Sequence, residues 1–214
     1  MKLRPKVSNW MLHGTRLLTI AVYPRIRNRG RAGLVSTQVR NTSQLHGKRP
    51  GKVDVVTTST EGIGFAIAKR LANDGASVVE NKKLLLDFSV ANYGGNYILI
   101  SNAAANPTIC RVLDTNEKAW DKIFDTNVKA AFILTQPAVP LIEKRGGGSI
   151  VYISSVAAYK VVVRVGAYSV SKTALLVLTN AAAEHCSSMN IRVNCGCPAI
   201  INTKFSSVIL SSDE

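Results

Sequence analysis

The sequence predicts an α/β fold built on a parallel sheet, and three observations carry that expectation. From Gly51 onward, short apolar runs alternate with longer helix-patterned segments. The first apolar run passes through a glycine-containing turn into an amphipathic helix. No internal repeat and no second compositional block interrupts the pattern, so residues 51–214 read as one domain.

The elements follow in chain order. Lys52-Val-Asp-Val-Val-Thr57 is expected as a strand, and the segment from about Ile63 to Asn73 as a helix. Ala76-Ser-Val-Val79 gives a second short strand, residues 82–93 one helix, and Tyr97-Ile-Leu-Ile-Ser101 a third strand. Two helices are expected next, from Thr115 to about Asn127 and from Val128 to Arg145, the first opened by the capping-like Thr115-Asn-Glu-Lys. Ser149-Ile-Val-Tyr-Ile-Ser154 is a strand, residues 167–185 a helix, and Ile191-Arg-Val-Asn-Cys195 a last strand.

The net charge of +14 is unevenly placed. Residues 1–50 hold 11 Lys/Arg and no acid, so the remainder of the chain is close to balanced. An Arg-rich, acid-free arm with Ser, Thr and interspersed apolar residues has the composition of a mitochondrial presequence. Its longest apolar run, Leu17 to Tyr23, is far short of the roughly 20 residues of a membrane-spanning helix. A basic nucleic-acid-binding arm is the alternative, but no aromatic stacking pattern accompanies it. Cys110, Cys186, Cys195 and Cys197 show no zinc-like pairing, and Cys195-Gly-Cys197 is tighter than a C-x-x-C redox motif. They are expected to be reduced thiols in apolar surroundings, without metal.

Five short motifs sit at element junctions. Thr57-Thr-Ser-Thr-Glu-Gly-Ile-Gly64 joins the first strand to the first helix, where backbone N–H groups and the helix dipole suit a pyrophosphate. By itself it fits a tight turn equally well. Ser101-Asn102-Ala103-Ala104 ends a strand, Asn127 lies in Asp-Thr-Asn-Val-Lys, and Ser154-Ser155 closes another strand. Tyr168 and Lys172, four apart on a helix, share a face. Singly, each fits a cap, a loop residue or an exposed pair. Together they occur in one order, with Tyr168 thirteen residues after Ser155.

In that combination the chain resembles the short-chain dehydrogenase/reductases over residues 51–210. Gly-Ile-Gly-Phe-Ala-Ile-Ala-Lys-Arg, Ser-Asn-Ala-Ala-Ala-Asn-Pro and Val-Ser-Lys-Thr-Ala-Leu-Leu are similar to one branch, dehydrogenase/reductase members 2 and 4, which are NADP-dependent reductases of dicarbonyls, ketones and retinoids. The resemblance implies a Rossmann-like, doubly wound, three-layer sheet. It implies a small-molecule carbonyl or alcohol substrate, with Tyr168 as proton donor and Ser155 polarising the carbonyl. Lys172 would lower the tyrosine pKa and bind the nicotinamide ribose, and Asn127 would hold a water. For the cofactor it implies Thr57, Ser59, Gly62, Ile63 and Gly64 around the pyrophosphate, Asn102 and Ala103 near the adenosine, and Ile200 and Thr203 on the nicotinamide. Lys82 and Lys83, after the second strand, favour NADP over NAD, with Glu80 mildly opposed.

Several departures from the family pattern set further expectations. Thr58 replaces the first glycine of the turn, and Ala199 replaces the glycine after Pro198. Asp54 puts an unpaired carboxylate in a buried strand, and Pro137 falls inside a long helix. Only 17 residues separate Val79 from Tyr97, enough for one crossover helix but not for the family's helix, strand and helix. One outer strand–helix unit and the C-terminal strand are therefore expected to be missing, together with much of the surface on which the family forms homo-oligomers. The alternative to a carbonyl reductase is thus a catalytically inactive, shortened member that acts through protein contacts.

Overall fold

The structure, a computed structural model, describes residues 49–79 and 85–207. Five parallel strands form one sheet in the order β2-β1-β3-β4-β5. They are β1 (Val53–Val56), β2 (Ser77–Val79), β3 (Ile98–Ser101), β4 (Gly148–Ile153) and β5 (Ile191–Gly196). The chain steps outward from β1 to β2, then returns past β1 to β3. That reversal opens a crevice at the C-terminal ends of β1 and β3, where α/β sheets of this type place their ligands. Every residue of β1 and β3 is buried, as expected for central parallel strands covered on both faces.

Side chains alternate between two cores. On one face Val53, Val55, Leu99, Ile150 and Tyr152 pack with α4 (Ala130–Glu143) and α5 (Gly166–His185). On the other, Val56, Ile98 and Ile100 meet Ile67, Ala68 and Leu71 of α1 (Gly62–Asn73). The buried positions of α1, at 64, 67, 68 and 71, recur at helical spacing and aim one stripe at the sheet. Gly75, with φ +92, turns the chain out of α1 into β2.

Between β2 and β3 the described residues hold a single helix, α2 (Leu85–Tyr93), which ends at Gly94 and Gly95, both with positive φ. Among the described residues β2 and β5 are therefore the sheet's edges, as the 17-residue spacing predicts. Glu80, Lys82, Lys83 and the N-terminal arm up to residue 48 lie outside the described residues.

The two helices expected on either side of Asn127 are in fact one rod. α3 (Glu117–Phe124) is capped by the Asn116 side chain, which accepts from the Ala119 N–H at 2.9 Å. It runs into a π-helical turn at Asp125–Lys129 and straight on into α4. The feature near Asn127 is thus a widened turn and not a break. Pro137 does not interrupt α4, nor does Pro140. Both lie on the exposed side, where carbonyls released from helical bonding can turn to water.

Asp54 corrects a second expectation, because it is not unpaired. Arg49 grips it with two bonds, Nε to Oδ2 at 2.8 Å and Nη2 to Oδ1 at 2.6 Å. Burial still outweighs the guanidinium and holds the carboxyl above the usual carboxylate range.

Candidate active site

A cleft of about 730 Å³ opens at the C-terminal ends of the strands. Its walls come from the β1–α1 turn (Thr58, Glu61, Gly62, Ile63), the end of β3 (Asn102, Ala104), the end of β4 (Ile153 to Ala157), α5 (Tyr168, Lys172) and the segment Pro198 to Ser206. The volume is that of a small-molecule or cofactor site.

The β1–α1 turn is built for close approach. Thr58 has φ +52, so a β-branched residue occupies the left-handed region that a glycine would occupy without strain. Gly62, with φ +60, presents its backbone to the cleft. Gly64 has a different task from the one the sequence implies. It is buried under the turn, where an added Cβ would lie 2.2 Å from the Thr58 carbonyl oxygen and 2.5 Å from Asn102 Nδ2. It lets α1 sit tight beneath the loop, while Gly62 and Ile63 are the residues that line the cleft.

Thr57 and Ser59 likewise hold the loop and do not line the cleft. Thr57 Oγ1 accepts the Asn102 N–H at 2.8 Å and the Ala103 N–H at 3.0 Å, tying the ends of β1 and β3 together. Asn102 Nδ2 donates back to the Thr57 and Thr58 carbonyls. Ser59 Oγ donates to the Val56 carbonyl. Ala103 contributes only its backbone to this clasp.

Tyr168, Ser155 and Lys172 come together on the far wall. The Tyr168 hydroxyl lies beside Ser155, whose Oγ accepts from the Ala157 N–H at 3.2 Å. Lys172 is 1% exposed, with Nζ 5.4 Å from the centre of the Tyr168 ring and donating to the Ile153 carbonyl at 2.7 Å. Burial pushes the Tyr168 phenol up to about 12, the Ser155 hydroxyl opposing it. Burial also lowers Lys172 to about 8, with the nearby Cys195 and Cys197 acting the other way. Burial, and not Lys172, sets the direction in which the phenol is shifted. The Lys172 ammonium bonds to backbone on the inner side, and desolvation dominates both groups.

Asn127 is 1% exposed and fully engaged. Its Oδ1 accepts the Ala105 N–H at 2.7 Å, and its Nδ2 donates to the Ala105 carbonyl at 3.1 Å and to Ser171 Oγ at 3.0 Å. Ser171 donates in turn to the Tyr168 carbonyl at 2.7 Å. Asn127 is therefore a strut between the strand-end loop and the turn of α5 that carries Tyr168 and Lys172.

The last wall contains Ile200 and Thr203 as expected, and also residues the sequence reading does not single out. Phe205 lies 5.8 Å from Tyr168, ring centre to ring centre, and covers it from the cleft mouth. Lys204 forms an ion pair with Glu61 across the opening. No short motif marks these two, since the contact joins residues 143 positions apart. The described residues fit the pyrophosphate and nicotinamide half of a dinucleotide: the cradle at Gly62 is open to the cleft, and the hydroxyl pair faces it from the other side.

Known proteins can now be set beside this geometry. Residues 80–213 match the family model described as short chain dehydrogenase. The chain is 44% identical, over 191 residues, to dehydrogenase/reductase SDR family member 4 of Bos taurus, covering 74% of this chain and 68% of that protein. It is 42% identical, over 196 residues, to the Homo sapiens protein of the same name, covering 76% and 70%. In three dimensions it resembles a short-chain alcohol dehydrogenase from Sinorhizobium meliloti 1021, with a TM-score of 0.71 at 26% identity over 77% of this chain and 78% of that one.

Proposed function

Because the chain belongs to the short-chain dehydrogenase/reductase family, we propose that it reduces a small carbonyl compound (a ketone, dicarbonyl or retinoid) with NADPH. The observation that carries this reading is the Tyr168–Ser155 hydroxyl pair, set across one cleft from the open Gly62 turn with Lys172 behind it.

A bound nicotinamide would supply the hydride; the chain's own groups bind, orient and move the proton. Gly62 and Ile63 would hold the pyrophosphate, and Ile200 and Thr203 the nicotinamide side. Tyr168, at about 12, is protonated at neutral pH and serves as the acid that gives its proton to the carbonyl oxygen. The Ser155 hydroxyl polarises the same oxygen. The Lys172 ammonium, 5.4 Å from the ring, stabilises the phenolate left behind. Phe205 and the Glu61–Lys204 pair flank the mouth of the cleft.

The choice of NADP rests on Lys82 and Lys83 following β2, where two cations would meet a 2′-phosphate. The acid-free arm supports mitochondrial delivery, and import followed by sequencing of the mature N-terminus tests that part.

The function is tested by titrating NADPH and NADH into the purified chain, following nicotinamide fluorescence, then adding a diketone and reading absorbance at about 340 nm. We expect NADPH to bind about tenfold tighter or better, the worth of one charge-assisted contact. Replacing Lys82 and Lys83 by Ser should erase that margin. The contrary result is no binding at millimolar cofactor. It would favour the inactive reading, which draws on β2 lying at the sheet edge with no described strand beyond it.

A further inference from the structure

β5 ends in Cys195-Gly196-Cys197, and no step of the proposed reduction uses either cysteine. On an extended segment, side chains two apart fall on one face. Here the two thiols are free and partly buried, and they stand two residues apart at the end of β5. Cys197 Sγ is 4.0 Å from the Tyr159 hydroxyl. Cys195 packs against the core that the sheet shares with α5.

The pair adjoins the hydrogen bonds that aim Ser155. The Ser154 N–H donates to the Gly196 carbonyl at 2.7 Å, and the Val156 N–H to the Pro198 carbonyl at 3.0 Å. Those two bonds bracket Ser155 on one side and Cys197 on the other.

We propose that Cys195 and Cys197 form a peroxide-sensitive dithiol whose closure to a disulfide displaces Ser155 and shuts the active site. The chemistry of the pair stands on its own geometry; the loss of function rests on the proposed function.

The two thiols differ in the way such chemistry needs. Contact with the Cys195 thiol, helped by the Tyr159 hydroxyl, holds the Cys197 thiol down to about 6 against its burial. The same contact, with burial, pushes the Cys195 thiol up. Cys197 is thus the thiol that ionises first, and Cys195 the partner that keeps its proton. The Cys197 thiolate attacks one oxygen of hydrogen peroxide, the O–O bond breaks, and the departing hydroxide takes a proton to become water. Cys197 is then a sulfenic acid. The Cys195 sulfur attacks the Cys197 sulfur, the S–O bond breaks, and the hydroxide leaves as a second water with the Cys195 proton. Two thiols lose two electrons, and one peroxide becomes two waters. A small dithiol reverses the change.

Closure must move the backbone. Two residues of extended chain span about 6.7 Å between Cα atoms, at the upper end of what a disulfide bridges. The segment therefore contracts at Gly196, which has no side chain to obstruct the ring. Contraction draws the Gly196 and Pro198 carbonyls away from the Ser154 and Val156 N–H groups. Ser155 and the wall that begins at Pro198 shift with them.

The test uses the full chain treated with a few equivalents of hydrogen peroxide, quenched and mapped by peptide mass. The peptide containing residues 195–197 should lose two hydrogens before Cys110 or Cys186 reacts. Cys195→Ala should stop at a sulfenic acid that dimedone traps, and Cys197→Ser should give neither product. NADPH affinity, read by fluorescence, should fall about tenfold or more in the oxidised chain and return with dithiothreitol. Cys195 and Cys197 remaining reduced while Cys110 oxidises would overturn the dithiol. A disulfide that leaves cofactor affinity and reduction unchanged would overturn the switch. The mass shift in the wild-type chain decides the dithiol whether or not NADPH binds, so its failure is separate from a failure of the proposed function.

Discussion

Tyr168 and Lys172 divide the proton chemistry by burial. With the phenol at about 12 and the ammonium at about 8, the cation titrates first. We expect carbonyl reduction to decline as pH rises through about 8, where Lys172 stops stabilising the phenolate. Lys172→Arg should move that decline to higher pH, because guanidinium keeps its charge. Tyr168→Phe should cut reduction by about two to four orders of magnitude, the range for a positioned acid, and leave NADPH fluorescence titration intact. Stability follows the same lysine with its own sign. Between about 8 and 10.5 the unfolded chain keeps a proton that the folded chain has released, so unfolding free energy rises with pH over that window. Urea midpoints at pH 7 and pH 9.5 check this. The fixed order of Asn127, Ser155, Tyr168 and Lys172 made them candidates, and the fold puts the last three on one cleft with Asn127 bracing α5 behind them. Their protonation was not legible in the sequence, because it depends on how deeply α5 is buried against β4.

The β1–α1 turn and the Arg49–Asp54 pair show what elements decide. Thr58 holds φ +52 against its own branched side chain. Thr58→Gly should therefore stabilise the chain by about 1 kcal/mol, part of the gain being offset by a freer unfolded state. Gly64→Ala should do the reverse, since the new Cβ meets the Thr58 carbonyl at 2.2 Å. The loop must lift, and both NADPH affinity and the urea midpoint should fall. Asp54 shows where sequence pattern alone misleads. A carboxylate in a buried strand reads as a defect until Arg49, five residues earlier and outside the strand, folds back onto it. Arg49→Ala should cost about 3–5 kcal/mol by leaving that charge buried and unpaired, while Arg49→Leu with Asp54→Leu should restore most of it. Denaturant unfolding of the three chains separates these outcomes. The strands and helices themselves were legible within two or three residues from apolar period and glycine placement. The exception is the rod through Asn127, where a π turn has no periodicity signature of its own.

At the scale of the molecule, the sheet order β2-β1-β3-β4-β5 puts the switch point, the Gly62 turn and the Tyr168–Ser155 pair at one end of one sheet. Alternation of strands and helices foretold that much, and the short Val79–Tyr97 interval foretold that a single helix would join β2 to β3. Closure of the cleft by Phe205, Lys204 and Glu61 was not foretold, because it joins the two ends of the domain and leaves no local pattern. The central claim is that this arrangement transfers hydride to a carbonyl with Tyr168 as the acid. The most direct test is a single turnover: the chain is saturated with NADPH, mixed with a diketone, and followed by loss of absorbance at about 340 nm beside Tyr168→Phe. The account predicts a stoichiometric fall in the wild-type chain and, in a variant that binds NADPH equally well, one slower by about two orders of magnitude or more. Equal rates in the two chains, or NADPH bound without any fall, would contradict it.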